Sequence, residues 1–267
     1  MLKIADICRA LDDLAPQSLA APWDNPGLLL GDAGAECGAV MVALDLTDSV
    51  FRQAEQAGCG LVITHHPFIF AAQKQVLAGR YEGDMILALA QKKIAAVACH
   101  TNWDNAPGGI NYALAEALGL QNITPICTPQ EDEILLLSGE FPSALSAADL
   151  AKTVCAALGL PLLRAAGLDE GKTYCKLAVC GGAGMDFWAK AAAAGCDALL
   201  SADPKHHEGF QAAHTGFALL DGTHFATEVI GIRRLGRLLQ QKLPDLAVHF
   251  ADEQDAWAFR DKDGRRY

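Results

Sequence analysis

The sequence predicts an α/β protein of two lobes built on mainly parallel sheets. Short apolar runs alternate with helical patterns along nearly all of the 267 residues. No hairpin turns separate the first strands, so those strands should run parallel with helices between them. A polar, aperiodic stretch, Thr128-Pro129-Gln130-Glu131-Asp132-Glu133, interrupts the alternation near the middle. The length suits two small domains, since domains cluster near roughly 100–150 residues.

Each element has a local reason. Ile4, Ile7, Leu11 and Leu14 recur at helical spacing and make a first amphipathic helix. Val40 to Leu44 reads as a buried strand. Thr47 can cap a helix that runs to about Ala57 and stops at Gly58. Leu61 to Thr64 is the next strand, Gly83 to Lys92 a helix, and Ala95 to Cys99 a third strand. Ile110 to Leu118 is a helix closed by Gly119. Beyond the polar stretch, Ile134 to Leu137 is a strand, and Ser146 caps a helix to Leu158. Tyr174 to Cys180, Ala198 to Ser201, Phe217 to Leu220 and Leu246 to Phe250 read as strands. Met185 to Ala194 and His224 to Leu243 read as helices. The unit from Val40 to Thr64 echoes the one from Leu177 to Ser201 at a constant offset of 137. Ala57-Gly58-Cys59 falls on Ala194-Gly195-Cys196. Alanine and glycine are common in this chain, so chance competes with a true repeat.

Composition narrows the function. Apolar residues make up 51% of the chain and charged ones 20%, which excludes wholesale disorder. The net charge of −11 disfavours duplex nucleic acid and anionic membranes as partners. It suits a protein that holds cations. No segment reaches the ~18 apolar residues of a membrane span, and the charged N-terminus does not read as a signal peptide. The nine cysteines are odd in number and widely spaced, with no C-x-x-C. They read as buried reduced thiols in a cytoplasmic protein.

Three polar clusters each follow an apolar strand, where open α/β sheets place their ligands. The first is Thr64-His65-His66-Pro67. Alone it reads as a turn; one metal would strain to take both adjacent imidazoles, whereas two nearby metals could take one each. The second is His100-Thr101-Asn102-Trp103-Asp104-Asn105. The third is Asp221-Gly222-Thr223-His224 through Glu228, in which His224 and Glu228 lie i, i+4 on one helix face. Each cluster has a bland reading, but three together make coincidence a poor account. The donors are all nitrogen and oxygen. They suit zinc, manganese, iron, cobalt or nickel, and a Glu bridging two cations with a His on each is a workable arrangement.

These residues resemble the Ngg-interacting-factor-three-like dinuclear metal proteins, also called GTP cyclohydrolase 1 type 2 homologues. The matching blocks span nearly the whole chain. They are Trp23-Asp24-Asn25-Pro26-Gly27-Leu28, Thr64-His65-His66-Pro67, His100 to Asp104, Gly108-Gly109-Ile110-Asn111, Ser201 to His207, and Asp221 through Glu228. The resemblance implies five ligands to two divalent metal ions per chain. His65 and Asp104 would serve one metal, His66 and His224 the other, and Glu228 would bridge them. Ser201-Ala202-Asp203 departs from the family's usual Thr-Gly-Asp, and Thr223 stands where a glycine usually precedes the last His; neither removes a ligand. His100, Asp203, His207, Asp24 and Asn25 are candidates to orient ligands or move protons. For Asp24 and Asn25, local turn bonding is the simpler role. Gly108-Gly109 can bring backbone amides to an anion or simply admit a helix. Arg260, Lys262, Arg265 and Arg266 read as a solvated basic end.

The lobes are expected at residues 1–126 with 220–267, and at 127–219, with a dinuclear site in the cleft between them. The leading function is hydrolysis of a small-molecule substrate by a bridging hydroxide. The family name suggests GTP cyclohydrolase activity, in which water opens the imidazole ring of the base and formate leaves. The sequence carries no readable guanine pocket and no P-loop, so a nucleotide or phosphoester is equally compatible. The alternative is a non-catalytic metal-binding, metal-delivery or regulatory factor. The resemblance also implies a homohexamer in the cytoplasm.

Overall fold

The computed structural model describes residues 2–128 and 134–265. It is a mixed α/β fold with two sheets and two compact units. One unit is Met1–Gly109 with Ile232–Glu253, and the other is Ile110–Gly231 with Gln254–Tyr267. Most of the polar stretch expected at the lobe boundary, residues 129–133, lies outside the described residues, as does Arg266 of the basic end.

The first unit holds a five-stranded sheet in the order β1-β4-β3-β2-β11. These strands are β1 (Gly27–Leu30), β2 (Ala39–Ala43), β3 (Leu61–Thr64), β4 (Ala95–Ala98) and β11 (Ala247–Phe250). β11, β2, β3 and β4 are parallel, and β1 runs antiparallel along β4. β3 and β4 are buried at every position, which is why they read as continuous apolar runs. The helix Asp48–Gln56 begins at Thr47, whose hydroxyl accepts from the Val50 amide at 3.2 Å. Its Val50 and Ala54 pack with Leu89 of the helix Tyr81–Lys92 on Met41, Val62 and Ala96 of the sheet.

The second unit holds a six-stranded sheet, β5-β6-β8-β9-β10-β7. Its strands are β5 (Gln121–Cys127), β6 (Leu136–Ser146), β7 (Arg164–Ala166), β8 (Thr173–Val179), β9 (Ala198–Ser201) and β10 (Ala218–Asp221). β8, β9 and β10 are parallel, while β5, β6 and β7 pair antiparallel. The expectation of mainly parallel sheets therefore holds for the first sheet and fails for the second. β6 opens with four buried residues in succession, so its composition is that of a parallel strand although its direction is reversed. β5 carries Pro125, which an edge strand tolerates because one row of its amides needs no partner. Alternate residues feed two cores. Leu177, Val179, Leu200 and Leu220 face Leu114, Leu150 and Val154. Ala178, Leu199 and Leu219 face Ala191 and Ala212 on the opposite side.

The division between units differs from the expected one. The helix Ile110–Ala117 and the strands β5 and β10 were assigned to the first lobe in whole or part, yet they pair and pack within the second unit. The boundary falls inside the helix His224–Lys242, between Gly231 and Ile232. A helical pattern carries no mark of which core its successive turns join.

The sequence echo is a structural repeat. Val40, Met41 and Val42 align with Leu61, Val62 and Ile63, just as Leu177, Ala178 and Val179 align with Ala198, Leu199 and Leu200. The antiparallel partners extend it. Gly27 pairs Ala98 and Arg164 pairs Asp221, and Gly27 and Arg164 are again 137 residues apart. The strand order β1-β4-β3-β2 thus recurs as β7-β10-β9-β8. Gly58 and Gly195 close the two equivalent helices with φ of 67° and 74°. The next amide donates to Ala54 and Ala191 respectively, at 2.9 and 3.1 Å.

Candidate metal centre

In the first unit, β3 ends at Thr64 and the chain turns immediately. The His65 amide donates to Ala43 and Leu44, and the His66 amide to Leu44, at 3.1–3.3 Å. Both imidazoles are thereby held at the carboxyl end of the parallel strands. β4 ends one strand away and leads into His100 and the one-turn helix Thr101–Asp104. His65, His66 and His100 each offer a ring nitrogen within 4.8 Å of the others. His65 is fully buried, and its Nε2 lies 3.6 Å from Asp104 Oδ1.

The tautomers follow from what the rings touch. His65 Nδ1 is 2.8 Å from the Cys99 carbonyl, which can only accept, so Nδ1 carries the proton and Nε2 the lone pair. His66 Nδ1 is 2.8 Å from Asp45 Oδ1, and His100 Nδ1 is 2.7 Å from Asp24 Oδ1. The pattern recurs in the second unit, where His224 Nδ1 is 2.7 Å from Asp203 Oδ2. Four imidazoles thus point Nδ1 at an oxygen acceptor and present Nε2 elsewhere. Metal-binding histidines are oriented in this way.

Asp24 is tied most heavily. Its side chain is fully buried and accepts from His100, from the Asn25 amide at 2.7 Å, from the Thr101 amide at 3.0 Å and from the Thr101 hydroxyl. Burial alone would raise its pKa, but the bonds from His100 and Thr101 and the His100 charge bring it down to about 2. Asn25 spends its side-chain amide on the Ile69 carbonyl at 2.7 Å. That bond spans 44 positions and ties its turn to a distant segment, while the Asn25 backbone amide makes the local bond, to Asp24 Oδ1 at 2.7 Å.

In the second unit, His224 and Glu228 share the first turns of the long helix, with Nε2 3.2 Å from Oε2. Glu228 is buried, and the loop Gly181-Gly182 passes directly against it. A side chain at Gly182 (φ +60°) would put Cβ 2.1 Å from Glu228 Oε1. The loop is pinned by Asn111 Oδ1, which accepts from the Gly181 amide at 2.7 Å, and by Thr227 and Ser201. Asp203 and Thr223 both adopt positive φ, 54° and 59°, an uncommon conformation for residues with a Cβ. His207 is exposed on the helix His206–Thr215, and among the described residues no hydrogen bond joins it to Asp203, His224 or Glu228. Near the carboxyl ends of β9 and β10 lies a cavity of about 340 Å³, lined by Arg164, Met185, Pro204, Lys205, Phe210 and Asp221.

Two features escaped the sequence reading. Asp45 orients His66 from the end of β2, a position whose only signal was a carboxylate in an apolar run. Gly182 was signalled only by a glycine pair after a strand. Gly108-Gly109 admits a helix: a Cβ at Gly109 would lie 1.8 Å from the Trp103 carbonyl. The cysteines remain thiols. Burial pushes Cys59 and Cys196 up to about 11 and Cys99 up to about 12. Cys99 meets the site through its carbonyl, which accepts from His65 Nδ1.

The donors fit a divalent transition metal, since in each unit imidazoles stand beside a carboxylate with no thiolate among them. Fold and site define an α/β protein with histidine and carboxylate groups able to hold metal. A family model described as Duf34/NIF3 (NGG1p interacting factor 3) matches residues 2–256, and the chain belongs to that family. A Streptomyces coelicolor relative, "GTP cyclohydrolase 1 type 2 homolog", is 34% identical, covering 96% of this chain and 94% of its own. A Clostridium perfringens relative of the same description is 29% identical, covering 96% and 97%. A crystal structure of a Staphylococcus aureus hypothetical protein superposes with a TM-score of 0.88 at 28% identity, covering 96% and 99%. No helix among the described residues is long and apolar enough to cross a membrane.

Proposed function

We propose that the chain binds two divalent cations and hydrolyses a small organic substrate with them. The observation that carries this reading is the common orientation of His65, His66, His100 and His224, each with Nδ1 on an oxygen acceptor. In this reading His65 and Asp104 serve one cation, His66 and His224 the other, and Glu228 both. Two such cations supply Lewis acidity and a water activated at neutral pH. The protein's own groups do the rest. The Cys99 carbonyl, Asp45 and Asp203 hold the imidazoles in one tautomer. Asp24, ionised down to about pH 2, keeps the proton on His100 Nδ1 and leaves Nε2 to accept one from the reacting water. The relatives' description favours a nucleotide whose base ring is opened; a phosphoester suits the same chemistry. The working form is a homohexamer in the cytoplasm.

Elemental analysis of the metal-replete protein should give about two metals per chain. Glu228→Ala should fall toward none, while Asp104→Ala and His224→Ala each keep close to one. Circular dichroism confirms that each variant is folded. A folded Glu228→Ala protein that still carried two metals would end the bridging assignment. The loaded protein is then screened against nucleotides, pterin precursors and phosphoesters, with Glu228→Ala as control. Turnover that the control lacks supports the hydrolase; two tightly held metals with no turnover would instead favour metal storage or delivery.

A further inference from the structure

Trp23 and Phe70 stand beside the imidazoles of the first unit, and the metal reading gives them no task. They are large aromatics, yet 56% and 52% exposed. Their ring centroids are 6.1 Å apart and tilted by 47°. His100 meets both edge-on, at 6.1 Å from Trp23 and 6.4 Å from Phe70. His100 is also 5.1 Å from His65 and 5.6 Å from His66, so the exposed pair and the imidazoles form one contiguous set of rings.

The pair is anchored. Asp24, next to Trp23, is fixed by His100 and Thr101, and the Ala21 amide donates to the Thr101 hydroxyl at 2.9 Å. Asn25 donates to the Ile69 carbonyl, which ties the Trp23 turn to the segment that carries Phe70. Two rings are therefore held in place with their outer faces open. Folding normally covers such surface, and an anchored but uncovered aromatic pair is suited to a ligand. Polar groups continue beyond His100: its ring meets that of His66, which is bonded to the half-exposed Asp45 carboxylate. A flat ring stacked on Trp23 and flanked by Phe70 would have one edge toward His100, so a ring bearing nitrogen on that edge is favoured over a plain hydrocarbon.

We propose that Trp23 is the stacking face, and Phe70 the tilted flank, of a platform for a flat heteroaromatic ring of the substrate, of nucleobase size, with its nitrogen-bearing edge toward His100. The proposal rests on the reading of the His65, His66 and His100 edge as the reacting centre. It adds two binding residues and the part of the substrate that they hold.

The test uses metal-free full-length protein, so that it stands apart from the metal reading. Guanosine is the probe and ribose the control, followed by saturation-transfer NMR and titration. The base proton of guanosine should receive the strongest transfer, and ribose almost none. Trp23→Ala should weaken guanosine binding by about tenfold or more, in line with base–aromatic stacking. Trp23→Phe should keep most of the affinity, and Phe70→Ala, at a separate anchor, should lose part of it. Metal content is measured in parallel: Trp23→Ala should match the unmutated protein. A protein that takes up no metal from a metal-replete buffer, yet binds guanosine through Trp23, would refute the metal reading and leave the platform intact. The platform is overturned if guanosine fails to bind. It is equally overturned if folded Trp23→Ala and Phe70→Ala bind it unchanged. A change of native mass in Trp23→Ala with guanosine affinity unchanged would assign the rings to a contact between subunits.

Discussion

Asp45 and Asp24 show how much of the site depends on groups that need touch no metal. Asp45 sets the His66 ring by one hydrogen bond. Asp45→Ala should therefore lower metal affinity about 10- to 100-fold, read by competition with a chelating dye. The Asp24 side chain is buried and accepts four hydrogen bonds, so Asp24→Ala should cost roughly 1.5–3 kcal/mol in urea unfolding. Its pKa, lowered from 3.8 to about 2, sets the pH window. The unfolded chain binds the proton more readily, so the contribution is complete above about pH 4 and is lost as pH falls through about 2. Asp24→Asn should flatten that part of the stability profile. An unchanged acid limb would show that another carboxylate controls it.

At the scale of elements, the repeat makes a paired prediction. Gly58 and Gly195 end equivalent helices in the left-handed region, and a Cβ at either would meet nothing within 4 Å. The cost of Gly58→Ala and of Gly195→Ala is then conformational alone, roughly 1–2 kcal/mol each. Denaturant midpoints should fall by comparable amounts in the two variants. A large difference between them would mean that the two turns are equivalent in shape but not in energetics. The repeat was visible in the sequence through Ala57-Gly58-Cys59 and Ala194-Gly195-Cys196 because cap geometry demands particular residues. The correspondence of β1 with β7 was not visible, since three- and four-residue edge strands of mixed burial carry no period to read.

For the whole molecule, the resemblance to the family motivates a hexamer. Native mass spectrometry should give a mass near six chains at micromolar concentration, and a persistent monomer would sink the expectation. The net charge of −11 implies that assembly, if it buries acidic surface, strengthens with added salt or divalent cations.

The sequence by itself determined the parallel core strands, their helices and the residues of the three polar clusters. Each of these depends on neighbours a few positions apart, whether a buried run, a cap or an i, i+4 pair such as His224 and Glu228. Only the tertiary structure decided the direction of β6, the assignment of the helix Ile110–Ala117 to the second unit, and the carboxylates that orient His66 and His100. Strand direction leaves no trace in composition once both faces are buried. The bond from His66 to Asp45 spans 21 positions and that from His100 to Asp24 spans 76. Such a bond is set by which strands end side by side, a property of sheet order that no local pattern encodes.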